Sequence, residues 1–488
     1  MMGIQEPDQG KIFYTNINIA ERIRRDHPLR RIAAKVDFDF TYREVADRYG
    51  TKGNVSVPPP VVLKLMLLLV FYNVRSEREL MSTLPERLDW LWFLGYDLDS
   101  KIPNHSILSK ARKRWGAEVF KSFFERIVLQ CVEDGLVDGS KIFVDSSLVE
   151  ADASNNSVVD TQSLKHQLRR NYKELEARLE ERNENTDGTG NYRKVNNRYI
   201  SGTDPDATIV GRGKPDLCYQ VHRAVDGAHE IITATATTPG DVSEAHLLGD
   251  LLEGHRSTTG QDAATVVADS KYGTIENFLA CHDMGIRAHM PDLSNSAVKR
   301  EEKRGIFPET FFHYDRERDI YICPAGKALK PKGIHPERQS IDYAARKTDC
   351  DVCELRSQCT SNKMGRTVNR HLRQNELDMM RQESRSAGSK RDIKTRQHLM
   401  ERSFARGKRY GYDRARWRGL WKMRIQEYLT CAVQNIQVLV SRENRPVKNP
   451  AMGAHAFGVG FSRVRFLFSN ALSLLTHICK HQPVSCSA

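Results

Sequence analysis

The chain has 488 residues, with 75 lysines and arginines against 62 aspartates and glutamates, a formal charge of +13 and a pI near 9.2. That length accommodates two or three domains, and the charge points to an acidic partner, nucleic acid first. The opening MMGIQEPDQGKIF lacks the basic and apolar regions of a secretory signal, and the longest apolar run, Val61–Val74, contains Lys64 and is too short for a bilayer, so no membrane partner and a cytoplasmic location are expected.

Residues 1–135 read as a helical N-terminal DNA-binding domain. Val57 to Pro60 lead into a helix over Val61–Tyr72, with proline tolerated in its first turn. Ser76 and Glu77 open a second helix. Asn104 or Ser106 caps a third, Ile107–Trp115, which carries Lys110, Arg112, Lys113 and Arg114. A dense basic face of this kind suits contacts to DNA phosphates, although it also fits a plain solvated surface.

Residues 136–293 change character. Ile142–Val144 is an apolar, β-prone run that ends in Asp145. Ser163–Asn185 is charged and helical and runs into a Gly/Asn/Thr-rich break at 186–191, which reads as an exposed hairpin or insertion. After TDPDAT (Thr203–Thr208) come two strand-like runs, Leu217–Val225 and Glu230–Thr237, joined through Asp226-Gly227. A helix at Ser243–Leu252, a strand at Thr265–Ala268 ending in Asp269, a helix at Ile275–Met284 and a strand at Arg287–Met290 complete the series. Strands interleaved with helices predict an α/β sheet covered by helices.

Residues 294–388 form a polar, cysteine-rich insertion with weak strands at Asp319–Ile322 and Ile341–Tyr343. Residues 389–442 are helical, broken near Gly407–Gly411, with an apolar stripe through Trp417, Leu420, Trp421, Ile425 and Leu429. Order in the 443–488 tail is not legible.

Asp145 and Asp269 each end a short apolar strand. In α/β sheets such strand ends line the functional crevice. Two carboxylates brought together there repel unless a cation lies between them, and oxygen ligands suit magnesium or manganese. A third carboxylate is expected from a later helix. Glu401 has Lys408 two turns on, and Glu427 in the striped helix is its competitor.

These stretches resemble a DDE transposase of a bacterial insertion sequence, from the branch that carries a cysteine-cluster insertion. The resemblance is carried by FVDSSLVEADAS, TDPDAT with YQVHRAVD, VVADSKYG, YICPAGKAL with CDVCELRSQC, and MERSFARGKRYGYDRARWRGLWKMR. VPPPVVLKLMLLLVFYNVRSEREL and IPNHSILSKARKRWG add the helical N-terminal region. It covers roughly residues 15–442 and implies an RNase H-like mixed sheet flanked by helices, an all-helical N-terminal domain, and an insertion before the last catalytic helix. It also implies that Asp145, Asp269 and Glu401 are catalytic, since Phe404 and Lys408 follow Glu401 as in the family. The family's arginine and tyrosine ahead of the glutamate are replaced by Gln397 and Lys394, with Arg396 one place off.

The implied chemistry is cleavage of DNA at element ends and transfer of the 3′-hydroxyl to target DNA with two Mg2+ or Mn2+ ions held by the triad, and Lys408 on a phosphate. A homodimer or larger assembly on the terminal repeats and target DNA would follow, in a bacterial, nucleoid-associated setting. A magnesium-dependent nuclease without strand transfer and a non-catalytic DNA-binding remnant are the alternatives.

Cys323, Cys350, Cys353 and Cys359 supply four thiolates, the middle pair at zinc-knuckle spacing, and predict a structural zinc in an insertion with little core of its own. Cys131, Cys218, Cys281 and Cys431 sit in apolar patterns and are expected to be buried. His222 and His105 read as packing residues, and no Walker loop, GxSxG or HExxH sequence is present.

Overall fold

The computed structural model describes residues 2–3, 18–160, 191–211 and 215–441. The charged 163–185 stretch and the 443–488 tail lie outside the described residues, as do Cys479 and Cys486.

Eight α-helices of four residues or more occupy the described N-terminal region, Ile19–Arg22 being the first. The helix expected after the proline run spans Pro59–Phe71, with two prolines in its first turn where their missing N–H groups cost nothing. It is apolar on all sides, and it is correspondingly surrounded by other helices. Lys64 is accommodated by aiming its ammonium at the Phe38 and Phe93 rings, each centroid 5.4 Å away. The Ser76 side chain accepts from the Glu79 N–H at the start of Glu77–Thr83, as that motif predicts.

The basic helix spans Ser106–Trp115, and the Asn104 side chain accepts from the Ser106 N–H. Its inward stripe is Leu108, Ala111, Arg112 and Trp115. Arg112 therefore does not belong to the basic face: it is 3% exposed, paired with Glu77, and stacked 4.0 Å above the Trp417 ring. Lys110, Lys113 and Arg114 face outward, Arg114 over Tyr49.

The main sheet is built on β1 (Lys141–Glu150). Beyond a short pair, β2 (Val158–Asp160) and β3 (Tyr199–Ser201), it takes in β4 (Thr208–Val210), β5 (Asp216–Asp226), β6 (Ile232–Pro239), β7 (Thr265–Val267) and β8 (Arg287–His289). The strand order is β4-β5-β1-β7-β8, and β6 pairs with β5 beyond β4. β1 runs antiparallel to β5 and parallel to β7, and β7 runs parallel to β8.

Both faces of this sheet are covered. Ile142, Val144, Val266 and Ala268 point into a core shared with helices Leu248–Thr259, Ile275–Asp283 and Gln374–Ser384. Phe143, Val149 and Val267, one residue out of phase, point into the other core, as the period of two requires. That second core is continuous from Leu29 in the N-terminal helices to helices Ala387–Lys408 and Leu420–Ser441. Four single cysteines are buried as expected: Cys131, Cys218, Cys281 and Cys431. No helix among the described residues is long and apolar enough to cross a membrane.

The insertion holds an antiparallel sheet in the order β13-β12-β11-β10-β9, where β9 is His313–Asp315, β10 Ile320–Ile322, β11 Ala328–His335, β12 Ser340–Ala345 and β13 Thr367–His371. Its core is small: Phe312, Tyr321, Leu329, Tyr343 and Val368. β11 and β13 are not legible as strands because their exposed, charged residues and Pro331 hide the alternation.

Candidate active site

The parallel pairing of β1 with β7 sets Phe143 opposite Val267, so two residues on, past the ladder, Asp145 and Asp269 leave neighbouring strands at the same level. Asp269 starts a 3-10 turn, Ser270–Tyr272, and its carboxylate accepts from the Lys271 N–H at 2.9 Å. Gly273 closes that turn because a Cβ there would collide with the Pro291 carbonyl.

Glu244 reaches the same place from the 3-10 turn after β6 (Glu244–Leu247) and is 6% exposed. Oxygens of Asp145, Glu244 and Asp269 lie within 4.8 Å of one another. Gln220 bridges, donating to Glu244 at 2.8 Å and to the Ser146 hydroxyl at 2.8 Å.

Burial raises the pKa of both Asp145 and Asp269. For Asp145, Arg396 opposes the shift, while Asp269 and Glu244 add to it. For Asp269 the next contribution is Glu244, opposed by the Lys271 N–H, Arg396 and the Lys271 charge. The cations are close: Arg396 Nη1 is 2.5 Å from Asp145 Oδ2 and Lys271 Nζ is 2.5 Å from Glu244 Oε1. The Tyr272 hydroxyl is buried nearby with no hydrogen-bond partner. Three hard oxygen donors from separate elements, short of charge balance by about one unit, fit a divalent cation.

Glu401 lies on helix Ala387–Lys408, which packs across this face of the sheet, but it is not one of the three clustered carboxylates. It is exposed, accepts from the Gln397 amide at 3.3 Å, and shares the outer side of the helix with Lys408. Arg396, not Glu401, is the residue of this helix that meets Asp145. Glu427, the competitor for third carboxylate, is fully buried against Arg223 and is not one of the clustered carboxylates.

Two family models match the chain. Residues 17–114 match a transposase domain (DUF772), and residues 322–440 match a transposase DDE domain that includes Glu401 and Lys408. The chain belongs to the DDE transposases. A solved structure, "Cryo-EM structure of piggyBac transposase synaptic complex with hairpin DNA (SNHP)", aligns over 94% of this transposase and 87% of its own chain, at 10% identity and a TM-score of 0.27. No curated protein matches significantly.

The transposase assigns the remaining motifs to separate places. TDPDAT does not join the acidic cluster: Asp204 accepts from the Gly419 N–H at 3.1 Å and Asp206 from the Leu420 N–H at 2.8 Å, so the two cap helix Leu420–Ser441. Buried His222 is a packing residue, bonded to Thr238 at 3.0 Å, with its pKa pushed down to about 4 by burial. Cys323, Cys350, Cys353 and Cys359 line one cavity of about 30 Å³ at the edge of the insertion. The Lys327 N–H donates to Cys323 Sγ at 3.3 Å. Burial raises the Cys359 pKa, with Arg366 opposing. The thiols are not among the groups that close within 4.8 Å.

Glu244 is the site residue that the sequence conceals. An acid in the first turn after a strand has an ordinary explanation as a partner for the helix dipole, and nothing local separates that role from a place in the site.

Proposed function

We propose that this DDE transposase cleaves DNA at its element ends and joins the freed 3′-hydroxyl to target DNA at a centre built on Asp145 and Asp269. The observation that supports this is the convergence of those two aspartates with Glu244 at the ends of two parallel neighbouring strands. The strand order, with an antiparallel β6-β5-β1 run followed by parallel β7 and β8, is consistent with an RNase H-like core.

Asp145 and Asp269 would hold Mg2+ or Mn2+, and Glu401, placed by its motif, would supply the third carboxylate from the helix. Bound in pairs, such ions activate the attacking oxygen and stabilise the leaving one. Asp145 would be the shared ligand. Lys271 and Arg396 flank the carboxylates and limit their repulsion while the site fills. Lys408, on the same side of the helix as Glu401, would meet a DNA phosphate, as would Lys110, Lys113 and Arg114 on the N-terminal helix. Bringing two element ends together calls for a dimer or larger assembly.

A second reading, favoured by the 4.8 Å cluster, gives the third place to Glu244. Substitution separates the two. Asp145→Asn and Asp269→Asn should each lower Mg2+-dependent cleavage by about a thousandfold or more while DNA binding persists. Glu401→Gln should match them, and a normal rate for Glu401→Gln beside a dead Glu244→Gln would move the third ligand. A nuclease without strand transfer would yield cut ends and no joined product.

The cavity shared by the four insertion thiols supports a structural zinc there, with four sulfur ligands leaving no open position for catalysis.

A further inference from the structure

The Arg223–Glu427 pair is the most deeply buried ion pair among those described, its side chains 0% and 1% exposed. Taking two charges out of water is costly, and two apolar residues would fill the same volume without that cost. What the ions add is direction. Glu427 Oε1 accepts from Arg223 Nε at 2.7 Å, from Thr235 at 2.8 Å and from Cys431 at 3.0 Å, and Oε2 accepts from Arg223 Nη2 at 3.1 Å. Arg223 Nη1 then reaches past Glu427 to the Ser403 carbonyl at 3.2 Å, between the Phe404 and Tyr412 rings.

Ser403 belongs to helix Ala387–Lys408, and three of the polar contacts of this helix lie in one line along it. Asp392 accepts from Lys141 at 2.9 Å and His289 at 2.7 Å, Arg396 meets Asp145, and Ser403 meets Arg223. Residues 392, 396 and 403 share one face by helical spacing. Asp145 and Arg223 are direct cross-strand partners on β1 and β5. One rung of the sheet therefore grips the helix at two points seven residues apart, and Glu401 lies between them. A turn of the helix about its axis, or a slip along it, breaks both contacts together.

We propose that the Arg223–Glu427 pair is a positioning device for the DDE centre, fixing the rotation and advance of the helix that sets Arg396 against Asp145 and also carries Glu401. Neither residue touches substrate or metal. The proposal rests on the reading of Asp145 and Asp269 as metal ligands.

The test uses the full chain with the apolar double variant Arg223→Met/Glu427→Leu, beside Asp145→Asn. Three readouts are taken: thermal unfolding, Mn2+ titration of cleavage on a duplex carrying the repeats that flank its gene, and amide exchange across residues 396–404. The double variant should melt within about 3 °C of the parent or above it, because an apolar replacement removes the desolvation cost. Cleavage should still fall about tenfold or more, the Mn2+ midpoint should rise about fivefold, and exchange in 396–404 should quicken. A double variant that melts normally and cleaves with the parent rate and Mn2+ midpoint overturns the proposal. Should it fail to fold, Arg223→Lys keeps the charge but not the fork that spans Glu427 and Ser403. The same losses are then expected, and parent-like cleavage again overturns it. Cleavage surviving in Asp145→Asn would instead sink the underlying site.

Discussion

Asp269 shows how a single side chain carries the conflict between folding and function. Burial raises its pKa, so in the folded chain its charge is held at a cost that the unfolded chain does not bear. A raised carboxylate opposes folding wherever it is ionised, which includes neutral pH, and the opposition fades as acid protonates it. Asp269→Asn keeps the cap on the Lys271 N–H and removes the charge. In EDTA it should therefore melt higher than the parent, by roughly 1–3 °C in a chain of this size. Mg2+ should raise the melting point of the parent and not of the variant. A lower melting point in EDTA would contradict the account. Asp145 and Asp269 were legible in the sequence because each ends an apolar strand, a position with few structural reasons for an acid. Glu244 was not, since helix starts attract acids anyway. Arg112 is legible in the spacing, since Leu108, Ala111 and Trp115 define the inward stripe and Arg112 falls inside it, whereas composition groups it with the three outward cations.

At the scale of elements, the Ser106–Trp115 helix divides its four cations between two jobs. Lys110, Lys113 and Arg114 face solvent, and Arg112 is sealed between Glu77 and Trp417. Replacing the outer three with alanine should weaken DNA binding and flatten the slope of log affinity against log salt by about 2–3, with little change in folding. Arg112→Ala should do the reverse: it leaves Glu77 without its buried partner and costs about 3 kcal/mol of stability, read by urea unfolding. An unchanged salt slope in the triple variant would remove this helix from the DNA-binding surface. The insertion offers a second test. Cys350→Ser/Cys353→Ser should drop bound zinc from about one per chain to none and open the insertion to protease, while the main sheet stays protected. Metal-free parent protein at the outset would dismiss the zinc. Strands at 217–225, 230–237 and 265–268 were legible because apolar runs ended in Gly, Pro or Asp. β4, β11 and β13 were not, because β4 is only three residues long and β11 and β13 are largely exposed, so each is fixed by the neighbour it pairs with.

For the whole molecule, the chain order of segments understates how they are joined. Composition divides the sequence near residue 135, yet the apolar cluster runs without interruption from Leu29 to Val440, and the Phe124 ring packs on Tyr428, centroids 6.1 Å apart. The mixture of N-terminal and C-terminal residues in one core is invisible to any local pattern, because periodicity reports that a helix has a buried face and not what buries it. A chain beginning at residue 136 should therefore be insoluble or bind apolar dyes strongly, whereas the complete chain should not; a soluble, cooperatively melting fragment would refute the shared core. The insertion behaves differently, with its five-residue core separate from both large clusters. For anyone seeking to retarget such an enzyme, this difference sets the rules of exchange. Swapping the amino-terminal helices between relatives would bring foreign side chains into half of an existing jigsaw and demand matching changes some 300 residues away. The cysteine-bearing sheet carries its own small interior, so exchanging it between relatives should leave both large cores undisturbed.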